Sequence, residues 1–265
     1  MAATPSAPAA PSPTKASSAP PPARTGALSD RGVVRRDTVH ALHWDVAGTA
    51  KVLGDVDVGA GRSKGTTVVG GNLSADSFDA RGILDVAGSV EVRSTLTTLG
   101  TFKAGGSVRA SEATLSGTVR SSGEVRVTGA LRMHGSIAVP SVKAGDLTLR
   151  GQARVPGAVA APRVEASLEG GSAIGTIEAQ TVRLGRRASN PLQRILGGRT
   201  SVTVERIEAE TVDLEGIDVE FVRGKSITLG RDCHVRTVEG TVVRAHASSR
   251  VGPESRSPPH PGLTR

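Results

Sequence analysis

Apolar side chains return every 17 or 18 positions through the middle of this chain. The column Leu73, Val90, Val108, Val125, Val142, Val159 and Ile177 advances in steps of 17, 18, 17, 17, 17 and 18. A fixed period of this kind marks one structural unit stacked on copies of itself. Within each period, apolar-x-apolar triplets recur every five or six residues: Val125/Val127, Leu131/Met133, Ile137/Val139, then Val142/Ala144, Leu147/Leu149, Ala153/Val155. The alternation sends two side chains of each triplet inward and the one between them outward. Gly129, Gly135, Pro140, Gly145, Gly151 and Pro156 fall between triplets, where corners are turned. Three short strands per turn, each bonded to its equivalents above and below, predict an all-β, single-domain parallel β-helix. An evenly spaced β-sandwich is the competing fold, but it does not require one column at near-constant spacing seven times.

Composition changes the picture at the margins. Residues 1–28 are almost wholly Ala, Pro, Ser and Thr and bury too little apolar surface to offset the entropy of ordering. They predict a disordered tail, and prolines throughout rule out the apolar core of a signal peptide. Residues 248–265 have the same character. The β-helix domain is expected over 39–247, with a basic loop at about 185–200 where Arg186-Arg187-Ala188-Ser189-Asn190-Pro191 breaks the triplet rhythm. Across that loop the register resumes, because Ile177-Glu178-Ala179 is echoed by Ile207-Glu208-Ala209. About 200 ordered residues at this period give roughly 11 or 12 turns, a rod on the order of 50 Å long. No run approaches the ~18 apolar residues of a membrane span. The single cysteine, Cys233, excludes an intrachain disulfide framework and fits a reducing, cytoplasmic setting.

A formal charge of +8 resembles a nucleic-acid signal. Locating it removes that reading: the excess falls on the two tails and the loop, leaving the coil with 24 basic and 24 acidic residues. No specific nucleic acid is therefore expected as a partner. Along the axis the signs are uneven. Residues 120–163 carry a basic surplus of five, whereas 205–220 hold seven acids against Arg206. These are expected to be solvated outward positions, or an acidic turn that receives the basic loop or a neighbouring molecule.

The chemistry of catalysis is not legible. The six histidines are scattered, no triad pattern is found, and Cys233-His234 point to opposite faces of a strand. No catalytic, cofactor-binding or metal-binding residue is identified. The ends of the coil carry more meaning, since a β-helix ends in unpaired strand edges that need a cap or another molecule. No amphipathic helix is evident at either end, so the terminal turns are expected to stack on other copies. Trp44 and Val46 at one end, and Phe221, Val238 and Val242 at the other, are the candidate polymer-interface residues.

The stacked Gly-x-Val/Leu turns, the Pro-rich tails, Lys51-Val52-Leu53-Gly54-Asp55-Val56, and the run from Leu214-Glu215-Gly216-Ile217-Asp218-Val219 to Cys233 resemble the bactofilins, polymer-forming cytoskeletal proteins of bacteria and some archaea. The resemblance covers about residues 44–245. It implies a right-handed β-helix that polymerises end to end without nucleotide or other cofactor. It also implies a scaffold in cell shape or in positioning partner proteins, often near the inner membrane face. The greater number of turns and the basic insertion depart from the compact family pattern. Self-association is thus the expected partnership, with inner-membrane or adaptor contacts through the basic tails and loop 185–200. Two other readings stay open at this point. A left-handed hexapeptide-repeat acyltransferase shares three strands per turn, but only His134 falls inside the regular repeats. A surface β-helix binding protein lacks its expected secretion signal and aromatic platform here.

Overall fold

In the computed structural model, residues 24–187 and 201–252 are described. Of the tails expected at 1–28 and 248–265, residues 1–23 and 253–265 lie outside them, as does most of the loop at about 185–200. The chain forms one continuous parallel sheet of sixteen strands wound into a coil, with no helix among the described residues. The sequence column is its spine. Val39, Val56, Leu73, Val90, Val108, Val125, Val142, Val159, Ile177, Ile207, Val222 and Val238 are successive register partners, and all are buried. Twelve turns at ~4.8 Å give a rod about 58 Å long.

One turn is represented by β3 (Val56–Val69), whose buried positions come in three pairs. Val56 and Val58 define face A, Gly61 and Ser63 face B, and Thr67 and Val69 face C; an outward residue stands between the members of each pair. The core is the narrow tube enclosed by these pairs. Aliphatic ladders fill it, and the buried hydroxyls of Ser63 and Thr67 satisfy one another at 2.6 Å. Phe78 and Trp44, one turn to either side of Gly61, approach with ring centroids 6.5 Å apart. A Cβ on Gly61 would run into the Phe78 ring. The missing side chain makes room for two rings in a tube otherwise too thin for them.

The corner between faces B and C is set by glycine. Gly48, Gly65, Gly82, Gly100, Gly117, Gly135 and Gly151 stack in register with φ between 110° and 130°. At Gly117 a Cβ would collide with the carbonyl oxygen of Gly100 one turn earlier, so only glycine permits both this φ and the interturn approach. The column stops at Gly151, whose next partner is the buried Leu168. One turn later the chain leaves this same corner at Arg187 and returns at Ser201.

The ordered coil starts earlier than residue 39. Strand β1 (Ala27–Arg36) pairs in parallel with all of β2 from His43 to Val52, adding a turn. Its inward positions are only partly apolar, which is why hydrophobic periodicity did not reveal it. At the other end, β16 (Arg250–Val251) extends the ladder past residue 247 by pairing with β15 (His234–Ala245).

Gly117→Ala should destabilise the coil by on the order of 3 kcal/mol, because a disfavoured φ and a backbone collision add. Substitution at Gly185, where a Cβ meets nothing within 4 Å, should cost far less. Chemical denaturation of both variants checks the contrast.

Candidate functional site: the two ends of the coil

The first turn is closed by charge rather than left open. Leu28, Asp30, Val34 and Arg36 occupy the inward register positions above Trp44, Val46, Ala50 and Val52. Asp30 is only 3% exposed, and Arg36 reaches it from the neighbouring face with Nε and Nη2 at 2.9 and 2.6 Å. The indole Nε1 of Trp44 donates to the second carboxylate oxygen at 2.9 Å. A buried carboxylate needs such partners. Hydrogen bonding from Arg36, reinforced by Trp44, holds the Asp30 carboxyl below the ordinary carboxylate range despite its burial. The same bond raises the Arg36 guanidinium. Together the three side chains make a polar plug at the mouth of the apolar tube.

This plug changes the role of two expected interface residues. Trp44 and Val46 lie in the second turn, 1% and 3% exposed beneath β1. Neither is available to another molecule. Asp30 and Arg36 are the residues that sequence reasoning missed; the signal was the triplet spacing itself, continued one period upstream with charged residues at two inward positions.

The segment leading into β1 is also fastened. Arg24 donates through Nε and Nη2 to Asp57 and through Nη1 to Asp76, which also accepts from Arg93. Arg24, counted by sequence with the free tail, is an anchor on the flank of the coil. Hydrogen bonding from it lowers the Asp57 carboxyl.

The last turns are built differently. Val238 is buried at 1%, and Val242 is partly buried against the core. Val251, at the final inward register position, is 39% exposed, and Val243, which follows Val242 in the chain, is 65% exposed. Cys233 and His234 do point to opposite sides. The thiol lies in the core, where burial pushes it up, and the imidazole meets Asp218 outside at 2.9 Å. Phe221 is on the outer surface of face A, under the Arg206 guanidinium at 4.4 Å. It belongs to the flank of the rod rather than to its end.

The uneven charges form girdles. Of the basic surplus, Arg126 and Lys143 lie on face A, Arg132 on face B, and Arg120 and Arg154 on face C. The acids likewise surround the coil, with Glu208, Asp213 and Asp218 on faces A, B and C. No family model, curated protein or solved structure matches the chain.

The plug has an acid-labile signature. An unfolded carboxylate titrates near 4, and Asp30 is held lower when folded. Its stabilisation is therefore complete above that pH and is lost as the pH falls through the folded value. Emission of Trp44, the single tryptophan, should shift red as acid loosens the first turn. Asp30→Asn should show the loosened spectrum at neutral pH, at a cost of about 2 kcal/mol confined to that end.

Proposed function

We propose that this protein is a structural scaffold, a rigid rod that joins copies of itself end to end without nucleotide. The observation carrying this reading is that, among the described residues, the sheet stops at β1 and β16 with no further strand beside either. Such edges present unpaired N–H and C=O groups that template another strand. No helix covers them among the described residues. The resemblance of the turns to bactofilins supports the same reading, as do the neutral coil and the lack of any catalytic arrangement in the sequence.

Continuing the register from one rod to the next sets specific neighbours. Val242 falls above Leu28 in the face B ladder, joining two partly buried apolar residues. Arg250 falls above Arg35 in the outer ladder of face C, an unfavourable pair that weakens the joint and keeps it reversible. The Asp30–Arg36 plug lets a free end persist in water before joining. Supporting cell shape or positioning partner proteins at the inner membrane face is the cellular role that this reading carries with it.

Electron microscopy of the purified protein without nucleotide should show filaments, and dispersed ~58 Å rods at high concentration and physiological salt would overturn the proposal. Val242→Asp should shorten the filaments, whereas Arg35→Glu should lower the concentration at which they form.

A further inference from the structure

Face A carries a charge pattern that is complementary to itself when reversed. Around the buried column from Val125 to Ile207, the outward residues of five successive turns are Glu124 and Arg126, Ser141 and Lys143, Ala158 and Ala160, Thr176 and Glu178, and Arg206 and Glu208. The first and last of these turns each hold an ion pair between residues two apart, both at 2.8 Å, with the signs exchanged. Between them, Lys143 and Glu178 flank a turn whose outward residues are two alanines.

We infer that this face docks against the same face of a second copy running antiparallel. A two-fold axis across the face at the Val159 turn sets Ala160 against its own equivalent. It places Lys143 opposite the partner's Glu178, Arg126 opposite the partner's Glu208 and Glu124 opposite the partner's Arg206. Each opposition occurs twice, as an isologous contact requires. The two alanines let the backbones approach at the centre. Arg206 is already braced for this contact by its stacking on Phe221. One turn further out, Arg109 would meet the partner's Arg223, which limits the contact and fixes its register. The corner from which residues 188–200 depart lies between faces B and C, opposite this surface.

The footprint, roughly 20 Å along the axis, is smaller than the ~800 Å² per partner of a stable interface. Single rods therefore pair weakly, and rods joined in series would pair with added avidity. The inference does not depend on end-to-end joining.

The test uses Ala160→Cys and a short bis-maleimide, since the native Cys233 is buried. At low salt the variant should give a covalent dimer, and Thr101→Cys on face C should not. Adding Lys143→Glu should lower the yield about tenfold, because two exposed attractions become repulsions. Adding Glu178→Lys to that variant should restore it. An unchanged yield with Lys143→Glu, failure of the exchanged pair to rescue while Trp44 emission stays native, or equal cross-linking from Thr101→Cys would each overturn the inference. If filaments fail to form, this readout still stands, because it counts paired rods rather than filament length.

Discussion

Each residue of the coil rests on its counterpart one turn away, and the parallel backbone ladder enforces that correspondence along the whole rod. A side chain is therefore judged against two near-identical neighbours about 4.8 Å above and below. Inside, this favours ladders of Val, Leu and Ile that nest without voids. It also makes any departure costly unless the adjoining turns adjust, as Gly61 does between Trp44 and Phe78. Outside, the same correspondence turns sequence spacing into charge geometry. The face A ladder of Arg126, Lys143, Ala160, Glu178 and Glu208 is a pattern only because the register aligns it.

Stability in such a structure is local. Interior turns have neighbours on both sides, whereas a terminal turn has one and must satisfy its own exposed face. The two ends solve this differently. The first turn uses a buried ion pair and an indole hydrogen bond, and its leading segment is fastened by Arg24 to carboxylates on lower turns. The last turns remain aliphatic and partly exposed at Val242, Val243 and Val251. The rod thus has chemically distinct ends.

Much of this was legible in the sequence, because a constant period and a strict inward alternation are properties of side chains alone. The column from Leu73 to Ile177 matched the register residue for residue, and the echo of Ile177 at Ile207 located the partner strands across the interruption. Trp44 misled because its place at the edge of the regular pattern implied a terminal, exposed residue. The pattern ended there only because Asp30 and Arg36 replace aliphatic residues at inward positions, and their pairing across two faces is a contact between strands that no periodicity encodes. The charge runs were visible as runs, but whether a run forms a patch or a girdle depends on which face each residue occupies.

A parallel coil has no internal reason to stop. Any turn can accept another, and the backbone of the last turn is indistinguishable from that of the one before it. The carboxylate of Asp30 makes one end differ from every interior turn. An aliphatic residue at that position would leave an apolar mouth facing water on every unjoined rod, while a charge met by Arg36 from the same turn completes its side-chain contacts before any further layer arrives. One pair of side chains thus separates the stability of a single rod from the capacity of its backbone edge to be extended.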